Sequence, residues 1–272
     1  MPQHTKGPGR GLTIYVGLIL ALLPFFSHAE GNTITFAVQP ILERDATIRF
    51  YRPLVDYLRK ETGLDIEFKA SINFLTYWQK TRRGDFDLVL DAAHFTAYRM
   101  AQLDYQPIAK VPGTVTYSLI TTPDLLIFEA DELIGKHVAS AAPPSLGMVR
   151  LQEMFSNPLR EPVIKESSSA ENAIKMLESG QVVAAMVPTP LLNNYPDFNV
   201  VATTQPAPHV TFSVAPGVSA ENRDKLKKAL LEAGNTKAGQ QALADINFPA
   251  LEAADPRQYQ GYEKLLINTW GF

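Results

Sequence analysis

One histidine stands where chemistry would be sought first. His94 follows Asp91-Ala92-Ala93, at the point where the apolar run Phe86 to Leu90 gives way to a stretch with helical spacing. Loops at the carboxyl ends of strands are where α/β folds gather their sites, so the ring is read either as facing a cleft or as a helix-start histidine bonded to Asp91. Catalysis finds little support elsewhere. The chain has no cysteine, hence no thiol nucleophile. The remaining histidines, His4, His28, His137 and His209, lack metal-ligand spacing, and no Gly-x-Ser-x-Gly elbow occurs. The nearest approach to a phosphate loop, Ser145-Leu146-Gly147, is far too short. No catalytic residue, metal or cofactor is expected.

Binding chemistry is better represented. Ser145, after Pro143-Pro144, and Ser168, three residues before Glu171, are placed to open helices. A helix start leaves backbone N–H groups unpaired and carries partial positive charge, so two such starts aimed at one point would hold an anion without Lys or Arg. Residues 139 to 149 and 167 to 174 contain neither. Both serines also read as ordinary caps. Among the aromatic residues, Tyr77, Trp78 and Tyr98 fall at helix-to-sheet packing positions, whereas Phe74, Phe95 and Tyr117 are placed at the expected cleft.

The elements that would position these residues alternate. Thr33 to Val38 reads as a strand, and Ile48 to Leu58 as a helical stripe stopped by Gly63 that starts late or bends at Pro53. Asp65 to Lys69 is a strand, Phe74 to Arg83 a helix ended by Gly84, Phe86 to Leu90 a strand and Ala93 to Gln102 a helix. This βαβαβα order predicts a mostly parallel, doubly wound sheet. Alternation restarts after the run Val115 to Thr121, with strands at His137 to Ala139, Val163-Ile164 and Val182 to Val187, and helices from Leu146 and Ser168. Extended runs at Val200 to Thr204 and Val210 to Val214 precede three helices, the last opened by Asp255-Pro256. The economical arrangement sends the C-terminus back to the first unit. One lobe is then 30–114 plus 206–272 and the other 115–205, joined by crossovers near Val111 to Tyr117 and Thr203 to Pro208, with the ligand between them.

The first residues set the compartment. Lys6 and Arg10 precede an apolar run from Gly11 to Phe26, and a small-x-small exit at Ser27-His28-Ala29 comes next, which reads as an export signal cleaved after Ala29. The run is shorter than the roughly 20 residues that span a bilayer, and Pro24 interrupts it. The formal charge of the chain is −3, with no polybasic stretch in the mature part, so nucleic acid is not an expected partner. A cysteine-free exported chain with 46% apolar residues fits a bacterial periplasm.

The stretches 50 to 68 (FYRPLVDYLRKETGLDIEF), 84 to 101 (GDFDLVLDAAHFTAYRMA), 132 to 147, 169 to 188 and 203 to 231 together resemble periplasmic solute-binding proteins of the phosphate, phosphite and phosphonate ABC-transporter type. The resemblance implies a two-lobed type II periplasmic binding fold, α/β, that closes by a hinge around a small anionic, phosphonate-like or other oxyanion-bearing solute. It also implies an inner-membrane permease as partner and a monomeric receptor. Family members carry tyrosines where this chain has Phe74 and Phe95, and often an acidic residue after the late strand, where Met186-Val187-Pro188-Thr189 stands here. Phe74, Asp91, His94, Phe95, Tyr117, Ser145, Ser168 and Thr189 are therefore the expected ligand residues. A ligand-sensing subunit for a membrane receptor, and an enzyme on the same scaffold, remain alternatives.

Overall fold

The computed structural model describes residues 1–4, 33–155, 157, 159–267, 269 and 272. The chain divides into two compact units, Met1–Gly31 and Asn32–Phe272. The expected export segment and its cleavage after Ala29 lie outside the described residues, apart from 1–4. All the described helices and strands belong to the second unit.

Its first part runs β1 (Ile34–Val38), α1 (Arg44–Thr62), β2 (Ile66–Ala70), α2 (Phe74–Arg83), β3 (Leu88–Asp91), α3 (Ala93–Leu103) and β4 (Gln106–Lys110). Two short strands, β5 (Thr114–Val115) and β6 (Tyr117–Thr121), lead into β7 (His137–Ala141), α4 (Leu146–Gln152), β8 (Val163–Ser167), α5 (Ala170–Glu178), β9 (Ala184–Pro188) and β10 (Asn199–Thr203). The chain then returns through β11 (Ala207–Pro208) and β12 (Thr211–Val214) to α6 (Ala220–Glu232), α7 (Lys237–Ala244) and β13 (Glu252–Ala253).

Two sheets result. One has the order β13-β4-β12-β3-β1-β2, the other β10-β6-β9-β7-β8. In the first, β2, β1, β3 and β4 run the same way, and β12 inserts antiparallel between β3 and β4. In the second, β7 is parallel to both β8 and β9, and β6 is antiparallel to β9 and β10. The crossovers meet each other: β5 and β11 pair antiparallel, Ala207 opposite Val115 and Pro208 opposite Thr114.

Several local outcomes differ from expectation. Helix α1 begins at Arg44 and runs unbroken through Pro53, because Thr47, Tyr51, Leu54, Val55 and Leu58 form one buried stripe. Packing of that stripe outweighs the lost backbone bond and ring clash, about 3 kcal/mol for an interior proline. Strand β4 had no sequence signal, since Pro107 breaks its run; the pairing of β12 and β13 with it defines the strand. In place of a third C-terminal α-helix there are 3₁₀ turns at Pro256–Tyr259 and Tyr262–Leu266, the first capped by Asp255, which accepts from the Arg257 N–H. Helices α1 and α2 stop where the sequence predicts: Gly63 (φ 68°) and Gly84 (φ 70°) adopt the left-handed conformation that side chains disfavour.

Each sheet carries its own core. The first is dominated by Phe36, Trp78, Leu88, Phe95 and Phe212, all buried. The second is two-faced: Leu119, Val138 and Met186 pack on one side with Met148 and Leu151 of α4, and Ile120, Ala139 and Val187 on the other with Ile174 and Leu177 of α5. Neighbouring residues of β6 and β9 fall on opposite faces, as strand geometry requires. A further cluster joins the two sheets' helices, with Ala93 and Ala97 of α3 against Leu146 and Val149 of α4, and Tyr259 between them.

Candidate functional site

The carboxyl ends of β1, β2, β7 and β8 open onto one cleft of about 720 Å³. The first sheet contributes the loop Gln39–Glu43, then Ile72, Asn73 and Phe74; the second contributes Ala141, Ala142, the turn at Ser145–Gly147 and Glu166–Glu171. Both crossovers reach it, through Val115 and Tyr117 and through Pro208–Val210. This is the strand-end crevice that open α/β sheets use for ligands.

Four of the eight expected residues line this cleft. Phe74 opens α2 behind the cap Asn73, whose side chain accepts from the Thr76 N–H at 2.8 Å. Tyr117 starts β6; its ring lies against Gly147, where an added Cβ would meet the ring at 3.0 Å, and burial pushes its phenol up to about 12. Ser145 caps α4, accepting from Met148 N (3.3 Å) and donating to Ala141 O (3.1 Å). Its one O–H donor is thus spent on the turn. Ser168 lines the cleft but caps nothing. The cap of α5 is Ser169, which accepts from Asn172 N at 3.1 Å, while Asn172 Oδ1 accepts from Ser168 N at 3.4 Å. With three serines in a row the helix starts one residue later, and the expected Ser168–Glu171 box does not form.

The other four lie outside the lining, for identifiable reasons. Phe95 is fully buried, packed against Phe74, Tyr77 and Trp78. Lacking a hydroxyl, it has nothing to hold it at a wet surface, and the core takes it. Asp91 is equally buried: Arg99 Nε donates to it at 2.7 Å and the Tyr77 hydroxyl donates to its other oxygen. Arg99 also donates to Thr81 Oγ1 at 2.9 Å. Burial raises the Asp91 carboxyl above its usual range, against the pull of the Arg99 guanidinium. His94 therefore bonds elsewhere than Asp91. Its Nε2 donates to the carbonyl of Pro144 at 2.7 Å, its Nδ1 has no partner, and burial pulls the imidazole down to about 4. Thr189 turns away from the cleft, its hydroxyl 2.8 Å from Ser118 Oγ, while its neighbours Pro188 and Pro190 line it.

Residues that sequence reasoning passed over complete the lining. Gln39, at the end of β1, accepts the Ala92 N–H on Oε1 at 3.2 Å. His209 in the second crossover accepts the Val210 N–H on Nδ1 at 2.8 Å, which places its hydrogen on Nε2, and burial lowers its pKa. The charged side chains on the lining are all carboxylates, Glu43, Glu166 and Glu171, each exposed at the rim. Gln39 had one signal, its place at the end of the first strand. Among the described residues no group of His, Cys, Asp and Glu is arranged to hold a metal ion.

Residues 36–259 match the family described as "ABC transporter, phosphonate, periplasmic substrate-binding protein". No curated protein sequence matches the chain. Among solved structures, PhnD1 from Prochlorococcus marinus in complex with methylphosphonate superposes with a TM-score of 0.74 at 14% identity, covering 86% of this chain and 97% of that one. A binding protein component of an ABC phosphonate transporter from Pseudomonas aeruginosa gives 0.72 at 16% identity, covering 86% and 85%. A Xanthomonas citri protein bound to ATP gives 0.69 at 15%, covering 86% and 96%. At these identities the superpositions establish the two-lobed fold.

Proposed function

The chain belongs to the periplasmic substrate-binding proteins of phosphonate ABC transporters, and we propose that it captures a small organic oxyanion in the strand-end cleft and delivers it, closed, to a membrane permease. In this reading 30–114 with 206–272 forms one lobe and 115–205 the other, export ends with cleavage after Ala29, and the mature protein acts as a monomer without catalysis.

The observation that carries the reading is the chemistry of the cleft. It is walled by Phe74, Ile72 and Leu146 and supplied with neutral donors from Gln39, Tyr117 and His209, beside the serine-rich start of α5. Neutral donors can hold an oxyanion without a basic side chain. The rim carboxylates oppose a bare polyanion, since unit charges 4 Å apart repel by about 1 kcal/mol in water and several-fold more near protein. A monoanion or dianion on an organic body, with an apolar part against Phe74, suits the site better than inorganic phosphate.

Closure is a consequence of the topology. The β5–β11 ribbon and the seam of α3, α4 and Tyr259 are among the contacts that join the two sheets, so a ligand touching both sides favours the closed population. Methylphosphonate is expected to raise the melting temperature and reduce the radius of gyration in solution scattering, with inorganic phosphate weaker in both. Tight binding at constant radius of gyration would rule out hinge closure. Absence of binding would rule out methylphosphonate as the ligand, and a retained periplasmic ligand without an oxyanion group would overturn the oxyanion reading.

A further inference from the structure

We infer that Gln39 and Ser167 form a two-sided clamp on the ligand's oxyanion, one from each sheet; the inference rests on the proposed oxyanion binding. Both line the cleft, and both are more than nine-tenths buried, at 8% and 7% exposure. Gln39 directly follows β1 of the first sheet and Ser167 ends β8 of the second. The backbone N–H of Ala92 can only donate, so the Gln39 atom it meets at 3.2 Å must be the carbonyl oxygen. The amide nitrogen is thereby held as a donor, and among the described residues it has no protein partner. The Ser167 hydroxyl is likewise without a partner. Buried polar groups are almost always bonded, so the unpaired Ser167 hydroxyl, across the cleft from a Gln39 amide whose donor end is left free, marks a place that a ligand completes.

The alternative anchor is weaker on the same grounds. Pro143 and Pro144 remove two backbone N–H groups ahead of α4, and the Ser145 hydroxyl already donates to Ala141 O. The loop after β7 therefore has no side-chain donor left for an oxyanion, and the loop after β8 supplies one, with Ser167 leading into Ser168 and the cap Ser169.

Gln39→Glu tests the first half cleanly. It keeps an acceptor for the Ala92 N–H and replaces the free donor by an oxygen bearing charge. Ser167→Ala removes a hydroxyl that bonds nothing in the protein. Each variant is compared with wild type by calorimetric titration with methylphosphonate, by melting temperature, and by native mass spectrometry of protein taken from periplasm. Ser167→Ala is expected to melt like wild type, Gln39→Glu to melt lower because it places a carboxylate at a buried position, and both to bind methylphosphonate at least tenfold more weakly, as loss of a hydrogen bond to a charged group implies. Unchanged or tighter binding in either variant overturns the two-sided clamp while leaving the oxyanion reading intact. If wild type ignores methylphosphonate, the retained ligand decides: a mass without an oxyanion group overturns both readings, an oxyanion-bearing mass lost from both variants upholds the clamp, and one kept by either variant overturns the clamp alone. A wild type that holds neither overturns both.

Discussion

The His94 imidazole sits in the seam between α3 and α4 with nothing to solvate a charge. Burial lowers its pKa from 6.5 to about 4, with the positive charge of Arg150 adding to the effect and the Pro144 bond opposing it. The unfolded chain takes up a proton as pH falls through 6.5, and the folded chain does not until about pH 4. Stability therefore declines across that window as pH falls, by roughly 3 kcal/mol in all. Gln at position 94 can still donate to Pro144 and does not titrate. Unfolding midpoints of wild type and His94→Gln, measured between pH 4 and 7, should diverge on the acid side, wild type falling faster. Parallel curves would mean that water reaches the ring. Burial of this kind also explains why neither His94 nor Asp91 lines the cleft: each is bonded to a buried partner that a sequence does not display.

At the scale of elements, helix starts decide how the cleft is built. Three serines precede α5, and only one can cap it. Ser169 does so with Asn172, leaving Ser168 exposed and Ser167 at the strand end. Ser169→Ala should cost about 1 kcal/mol of unfolding free energy, and Ser168→Ala less than about 0.5 kcal/mol, measured by urea denaturation. Equal costs, or the reverse order, would place the cap one residue earlier. The aromatic stripe of α2 and α3 obeys packing in the same way. Phe74 lies at the cleft because it is the first residue of its helix, and Phe95, two residues into the next, lies behind it in the core.

The β5–β11 ribbon and the seam filled by Tyr259 join the two sheets of the larger unit. That tyrosine is fully buried, its hydroxyl 2.7 Å from Thr211 Oγ1, and it packs against helices from both sheets. Tyr259→Ala should destabilise the protein by roughly 3–5 kcal/mol, and Tyr259→Phe by only about 1 kcal/mol, both read from denaturant midpoints. A loss below about 1 kcal/mol for the alanine variant would show that the seam contributes no packing of its own.

The alternation of apolar runs and glycine-stopped helical stripes was enough to determine the α/β class, most strand positions and the two helix ends at Gly63 and Gly84. These depend on spacing along the chain and on backbone freedom at single residues, which a sequence displays directly. The sorting of side chains between cleft and core was not legible there. Phe74 and Phe95, or Ser167 and Ser168, have like chemistry and like neighbours; which one meets the cleft depends on strand register and on where a helix begins. Both are fixed by contacts between segments far apart in the chain: β12 inserting between β3 and β4, and Pro144 meeting His94 across the two sheets. Only the tertiary structure brings those partners together, and with them it chooses which donors are left for a ligand.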